Sequence, residues 1–418
     1  MPFSFDPYSP AWRDDPYPKY RELRDAAPVH WSPEAKVWCI SRYEDVMTAL
    51  RSHDALSSRA MMTQLMMGGE EKPPITPGSL LFAARLLWKA RVNPFAVPNV
   101  PSLIASDGNR HTLLRSIVNR GFTPRQITAW EARAREIVTE CMAKVRSGDF
   151  DVVRDLAIPL PVTMIAEMLG IEPGRRHDFK RWSDVVIDNA TGPGRANPFN
   201  PEILDAFAEM TTYVVQIGRR RKKAPSDDLI SQLVSMNDGQ GLSPIELVQF
   251  VTLLLVAGNE TTTNLIGNAT AALLAHPDQL ARVAADLSLV PSLVEEALRF
   301  DAPVQLVFRE ALEDVEIAGT KIPAGAIVVP LLGSANRDER RFPDPDAFDV
   351  TRNPQGHVAF GFGKHFCLGS SLARLEAKAA LEALVPELVR MKHGEPALTR
   401  VDSFLVRGPS RLPLRRAA

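Results

Sequence analysis

The chain has 418 residues, of which 45% are hydrophobic and 24% charged, and its net charge at neutral pH is −1. This is the composition of a globular protein long enough to bury a large core and enclose a cofactor, and it gives no basic surface for nucleic acid. Three cysteines (Cys39, Cys141 and Cys367), an odd number and widely separated, make no disulfide framework, which fits a reducing cytosol. The polar, proline-rich start MPFSFDPYSPAWRDDPYPKY reads as neither a signal peptide nor an anchor, and no uncharged apolar run reaches membrane-spanning length. The expectation is therefore a cytoplasmic protein without a membrane span.

In chain order, residues 16–26 predict a short helix stopped by Pro28. Two β-like runs, Val29–Trp31 and Val37–Ser41, flank a turn at Ser32–Ala35, and Glu44–Ser52 is helical again. Residues 53–105 are irregular, with Met61, Met62, Met66 and Met67 clustered ahead of prolines and an apolar patch from Leu80 to Trp88. A loop that long inside a compact domain is usually functional or mobile, and methionine offers an adaptable apolar surface. A Met-rich core patch under a surface loop is the equal alternative. Asp107 is placed to cap a helix running to about Arg120, ended by Gly121 and Pro124, with His111 and Arg115 four apart on one face. Residues 125–147, 158–169, 174–189 and 202–222 predict helices, with a Gly/Pro-rich break at 192–201 and a solvated basic end at Arg219–Lys223.

Ser243-Pro244-Ile245-Glu246 forms a capping box with proline at the first helical position, and an apolar pattern continues to about Leu274. A helix that apolar belongs in the centre of the fold. It nevertheless contains Ala257-Gly258-Asn259-Glu260-Thr261-Thr262, and buried polar groups in mid-helix need a reason. A threonine bonded back to a carbonyl would bend the helix there and open a groove. Further on, Glu296 and Arg299 share a face of a helical run. Strand-like segments follow at Val315–Ile322 and Ala326–Leu332, and the tail holds Phe404–Gly408 and Leu412-Pro413.

The stretch HVAFGFGKHFCLGSSLARLE, residues 357–376, organises the rest. Cys367 sits in a glycine-rich turn that opens a helix, with Lys364 and His365 just upstream. A helix N-terminus and nearby cations favour the thiolate, and glycine lets backbone N–H groups approach the sulfur. An isolated cysteine is more often a small buried hydrophobe. A single thiolate with no CxxC partner does not suit structural zinc, but it does suit the axial ligand of a haem iron.

Phe360, Gly363, Cys367 and Gly369 reproduce F-x-x-G-x-x-x-C-x-G, and the stretch resembles the haem-ligand signature of the cytochrome P450 superfamily in its soluble bacterial form. Phe362 departs from the common pattern, in a way that touches packing rather than ligation. The resemblance spans about residues 15–415 and implies a single mainly α domain with small β-sheets, in which a long central helix covers the haem. It implies haem b (iron protoporphyrin IX) on Cys367, framed by Gly258, Phe360, Gly363 and Gly369, with His111, Arg115, Arg309 and His365 on the propionates. Thr261 and Glu260 become the catalytic pair, Thr261 hydrogen-bonding at the dioxygen site and Glu260 relaying protons. Glu296, Arg299 and Arg352 become a buried ion network that fixes the Cys loop.

By the same resemblance, residues 53–105 form a substrate-covering loop and the helices of about 174–222 a lid. Leu254, Ala257, Asn264, Val304, Leu306, Phe404 and Leu405 are the substrate-pocket candidates. The implied reaction is insertion of one atom of O2 into a small apolar or amphipathic substrate of the steroid, terpenoid, fatty acid or polyketide class. The protein is expected to be a monomer that binds no nucleic acid. With no flavin or nicotinamide domain in the chain, electrons are expected from a separate ferredoxin or flavodoxin, with Arg110, Arg120, Lys364 and Arg374 as a basic docking face. A peroxide-driven haem oxygenase is the nearest rival, ranked lower because Glu260–Thr261 is intact. A haem-based sensor or ligand-binding protein is the rival from another class.

Overall fold

Strands from distant parts of the chain build the main sheet of the computed structural model, which describes residues 4–61, 64, 77, 80, 81, 84, 88, 102–147, 150–191, 201–235, 241–393 and 398–416. Strands β1 (Val29–Ser32) and β2 (Val37–Ile40) form an antiparallel hairpin that sets Trp31 opposite Trp38. β2 then runs parallel to β8 (Ile327–Pro330), β8 pairs with β5 (Arg309–Ala311), and β5 with β3 (Leu56–Ser57). The order β1-β2-β8-β5-β3 leaves one face for Ile40, Val46, Leu50, Leu56, Val328 and Phe342, which are all buried together. β6 (Val315–Ile317) and β7 (Thr320–Ile322) form a separate hairpin. β4 (Phe150–Asp151) and β9 (Met391–His393) flank β12 (Pro413–Arg416), and β10 (Thr399–Arg400) pairs with β11 (Pro409–Arg411).

The chain divides into two compact units: the first holds Met1–Gly69, Ile127–Leu160 and Thr261–Ala418, the second Glu70–Gln126 and Pro161–Glu260. The sheets belong to the first. Its helices include α1 (Tyr17–Ala26), α2 (Tyr43–Arg51), α5 (Glu131–Met142), α11 (Pro277–Ala285), α12 (Val290–Phe300), α13 (Leu332–Ala335) and α14 (Ser370–Leu388). α14 packs along α5, with Lys378 and Arg135 reaching Glu131 and Glu382 at 3.3 and 2.6 Å. The helix predicted over 125–147 is broken into α4 (Pro124–Ala129), α5 and a 3-10 turn at Ala143–Ser147.

The second unit is helical: α3 (Gly108–Asn119), α6 (Pro159–Met168, from Pro161), α7 (Arg176–Thr191), α8 (Pro201–Lys223), α9 (Leu229–Val234) and the first half of α10 (Pro244–Ala275). Asp107 takes the N-cap place of α3 in extended backbone, without a side-chain capping bond. The box at α10 forms in both directions: Ser243 N donates to Glu246 Oε2 at 2.8 Å, and Glu246 N to Ser243 Oγ at 3.4 Å. The basic end of α8 is only partly solvated, because Arg221 Nε donates to the buried Asp228 at 2.5 Å. Most of the loop expected over 53–105, and the break at 192–200, lie outside the described residues.

Candidate active site

Cys367 stands just ahead of α14, whose N-cap is Gly369. A 3-10 turn at Gly363–His365 leads into it, and Cys367 N donates to Phe360 O at 2.9 Å, which closes the turn on itself. Gly361 and Gly363 have φ of +68° and +74°, in the left-handed region that favours glycine. At Gly363 space adds to the constraint: a Cβ there would lie 2.4 Å from His53 Nε2. The same His53 nitrogen accepts from Lys364 N at 3.1 Å, a tether the sequence did not announce. Around Cys367, Phe360, His365 and Gly369 are half-buried. Phe362 is 40% exposed under the Arg51 guanidinium, 5.1 Å from its ring centre.

Two ionic clusters hold this loop. Glu296 Oε1 and Oε2 accept from Arg299 at 2.7 and 2.8 Å, and Oε1 also accepts from Arg352 Nε at 3.2 Å and Asp349 N at 3.0 Å. Arg299 spends its remaining N–H groups on Pro345 O, Ala347 O and Asn336 O. Asn336 Oδ1 in turn accepts from Val358 N at 2.7 Å, at the start of the Cys stretch. The second cluster was not foreseen. Glu295 accepts from Arg374 Nε at 2.6 Å and Nη2 at 2.9 Å and meets His357 Nε2 at 3.0 Å, while Arg374 lies 4.5 Å over the Phe360 ring. Burial alone would push the Glu295 carboxyl up, but the bonds from His357 and Arg374 bring it down to about 2.

The helix α10 is unbroken through Ala257–Thr262. Around Glu260 (8% exposed) and Thr262 (2%) it is almost wholly buried. Just before it the helix is more open: Ala257 is exposed and Leu254, Gly258 and Thr261, three and four apart on one face, are half-buried, as are Thr252, Leu253 and Val256. Gly258 also packs closely, since a Cβ there would sit 3.0 Å from Ile165 Cδ1. About two turns of the helix thus offer a small apolar strip beside an acid and a hydroxyl.

Glu376, on α14, is a buried acid that neither motif accounts for, and it lies against the residue after Thr261. It is 1% exposed, hydrogen-bonds Thr262, and has its Oε1 without a hydrogen-bond partner. Desolvation raises its carboxyl to about 8, against which the Thr262 bond works only weakly. A readable signal existed: Glu376 follows Leu372 by four on the apolar stripe of its helix.

The other candidates separate by unit. His111 (4% exposed) and Arg115 (half-buried) lie on α3 in the second unit, and Arg309 (5%) lies on β5 in the first. Val304 is half-buried and Leu306 buried on the segment before β5, while Phe404 is half-buried and Leu405 buried in the tail. Asn264 is buried against Gly408, where a Cβ would come within 2.2 Å of its Oδ1. Of the four basic residues expected to dock a partner, Arg110 is paired with Glu246, Lys364 with Asp54 at 3.7 Å and Arg374 with Glu295.

The donors fit a haem-thiolate centre better than any all-protein metal site. No group of three or more His, Cys, Asp or Glu among the described residues could hold a metal ion. Cys39 is fully buried, with its thiol pushed far up by desolvation, and burial pushes Cys141 up to about 11. Cys367 alone is presented on a glycine frame at a helix start, and a Cβ on Gly369 would meet nothing within 4 Å beyond its own stretch of chain. A lone cysteine thiolate is one of the ways a protein holds haem iron, and Cys367 is the cysteine placed for it.

A mainly helical fold that carries one cysteine on a glycine-framed loop and a long helix interrupted by polar residues is that of a haem-thiolate oxidoreductase. The Cytochrome P450 family model matches residues 179–399. The chain is 38% identical to the Vitamin D(3) 25-hydroxylase of Pseudonocardia autotrophica over 98% of this chain and 96% of that one. It is 36% identical to the 6-deoxyerythronolide B hydroxylase of Saccharopolyspora erythraea, covering 97% of each. Among solved structures, the cytochrome P450 CYP109Q5 from Chondromyces apiculatus aligns with a TM-score of 0.84 at 38% identity, over 100% of this chain and 99% of that one. CYP109E1 from Bacillus megaterium in complex with testosterone aligns at 0.81 and 35% identity, over 97% and 100%. The chain belongs to the cytochrome P450 family and is a monooxygenase of the oxidoreductase class. No helix among the described residues is long and apolar enough to cross a membrane.

Proposed function

We propose that this enzyme hydroxylates an apolar, steroid-sized small molecule, with haem b as its cofactor. The carrying observation is the strip of Leu254, Ala257, Gly258 and Thr261, half-buried or exposed on one face of the helix, directly beside the buried Glu260. Such a strip accepts a large hydrocarbon and offers it no charge. The substrate class is supported by the named relatives, which include a vitamin D hydroxylase and a structure holding testosterone.

Cys367 would hold the haem iron through its sulfur, with Phe360, Gly363 and Gly369 as its frame and His111, Arg115, Arg309 and His365 as partners for the propionates. Arginine suits that task because its fork matches a carboxylate. Bound haem supplies reductive activation of O2, and the overall balance is substrate plus O2, two electrons and two protons to alcohol and water. Thr261 holds a hydroxyl donor at the reaction face, and Glu260 passes protons inward. A positioned proton donor is worth about 10²–10⁴ in rate. The electrons come from a separate ferredoxin or flavodoxin in the cytoplasm, and the enzyme works as a monomer. Both units belong to one domain, a reading supported by the interleaving of their chain segments.

The test is the optical spectrum of the reduced protein under carbon monoxide, for wild type and Cys367→Ala. The expected result is a strongly red-shifted Soret band in wild type that is absent from the variant. Titration of the ferric wild type with testosterone, vitamin D3, hexadecanoic acid and a macrolide aglycone then reads binding as a spin-state shift. A spectrum unaffected by Cys367→Ala overturns the ligand assignment. Tight binding of the fatty acid alone overturns the steroid-sized substrate.

A further inference from the structure

The tail residues 402–407 carry Phe404 and Leu405, and three sets of contacts hold them. Their backbone is tied to the segment bearing Val304 and Leu306: Gln305 N donates to Leu405 O at 2.9 Å, Arg407 N to Pro303 O at 2.8 Å, and Val304 bridges Val406. Beneath lies a buried ionic knot. Arg407 Nε and Tyr17 Oη both donate to Asp301 Oδ1, at 2.7 and 2.6 Å. Asn268 Nδ2, two turns beyond Thr261 on α10, donates to Asp301 O and Arg407 O, each at 2.9 Å. The third set comes from the N-terminal arm, residues 5–17. Arg13 pairs with Asp402, and Asp14 O accepts from Arg407 Nη2 at 2.8 Å.

The arm also carries Tyr8. Its ring meets Phe404 edge-on at 5.0 Å and stacks on Phe308 at 6.3 Å and 18°, while Phe308 and Phe404 stand 6.2 Å apart. Phe308 is fully buried. Tyr8 Oη donates to Gln64 at 2.9 Å, and Tyr8 N donates to Asp6 Oδ1 at 2.9 Å, so the ring is fixed at both ends. With the tail backbone tethered, Tyr8 and Phe308 are two aromatic neighbours that help to set the direction of the Phe404 ring. Phe308 is part of the core, whereas Tyr8 sits on the arm, and edge-to-face geometry permits only a narrow range of ring positions.

We propose that Tyr8 is a specificity-determining positioning residue: the N-terminal arm clasps the tail, and its Tyr8 ring sets where Phe404 stands against the substrate. This rests on the assignment of Phe404 to the substrate pocket. Tyr8 touches no substrate itself. Its influence passes through one side chain, so it is felt by a large ligand that reaches Phe404 and not by a small one that binds at the iron alone.

The experiment titrates ferric holoenzyme with testosterone and, separately, with imidazole, for wild type, Tyr8→Phe, Tyr8→Ala, Phe404→Ala and the double variant Tyr8→Ala/Phe404→Ala. The carbon monoxide spectrum and melting temperature of each are recorded alongside. Tyr8→Ala is expected to change the testosterone Kd by about 2- to 10-fold, with imidazole binding and the carbonyl spectrum unchanged. Tyr8→Phe keeps the ring and should behave as wild type, and in the Phe404→Ala background the Tyr8→Ala effect should vanish. If Phe404→Ala shifts testosterone binding and Tyr8→Ala does not, the clasp is refuted while the pocket assignment stands. A Tyr8→Ala effect that persists in full without Phe404 refutes it too. If Phe404→Ala changes nothing, the pocket assignment itself falls and the clasp falls with it.

Discussion

Arg299 and Glu296 meet through two parallel bonds of 2.8 and 2.7 Å, and neither side chain has any exposed surface. An arginine fork against a carboxylate is the strongest form of such a contact. Here it also has no water to fall back on. Removing one partner strands a buried charge, at a cost of about 3–5 kcal/mol. Arg299→Ala should therefore melt well below wild type and hold little cofactor. Arg299→Lys keeps the charge but loses the fork that reaches Pro345 O, Ala347 O and Asn336 O, so it should recover only part of the loss. Thermal melts with haem content per chain check both. A melting temperature for Arg299→Ala within a degree of wild type would remove the network from its supporting role.

Glu376 gives a dependence on pH whose sign is fixed. Its carboxyl is raised by burial to about 8, while in the unfolded chain it titrates near 4.5. Between those values the folded state holds the extra proton, so stability falls as pH rises through that window. Glu376→Gln cannot ionise and still offers Thr262 a bond. The variant should lose less stability than wild type between pH 5 and pH 8, by an amount on the order of a few kcal/mol. Parallel melting curves for the two proteins across that range would refute the assignment.

The Glu295 cluster behaves in the opposite sense. Its carboxyl is depressed to about 2 by His357 and Arg374 despite its burial. The stability it contributes is complete above the unfolded value and fades only as pH falls toward 2. Arg374→Ala removes the cation and the cover over Phe360. The variant should destabilise at an earlier stage of acidification than wild type, and its ferrous carbonyl should convert sooner to the form lacking a thiolate. The pH midpoint of that conversion is the quantity to measure.

For the pair on α10, Thr261→Ala removes a hydroxyl and little volume, and Glu260→Gln removes a titratable proton. Each should reduce alcohol formed per electron consumed, with the loss in rate toward the lower end of about 10²–10⁴. Binding of substrate, read by the spin shift, should stay near wild type. Product and reductant consumption measured together decide the matter. Unchanged coupling in both variants would take proton delivery away from these residues.

The chain made its helix starts and its cofactor loop legible, because those depend on local rules. The capping box at Ser243–Glu246, the Pro244 start, and the glycines around Cys367 all act within a few residues of themselves. The hairpin at Val29–Ile40 was legible for the same reason. What escaped was non-local. That His53 accepts from Lys364 N, 311 residues away, depends on a meeting no spacing encodes. Glu295 looked like its neighbour Glu296, and only packing reveals that the two adjacent carboxylates serve different clusters. The break at Trp130, between α4 and α5, carries neither glycine nor proline, so local signals predicted one helix where there are two.

The small sheet at β4 and β12 bears on how the protein comes into being. Leu414 pairs with Phe150, and Leu412 N donates to Asp151 Oδ1 across 261 residues of chain. During synthesis the segment carrying β4 emerges long before its partner, so Phe150 and its apolar neighbours wait uncovered while more than half of the polypeptide is still being made. Pairings that distant slow folding and leave the nascent chain open to aggregation. Removing β12 would thus be felt first as a shortage of recoverable protein, before any catalytic step was put to the test.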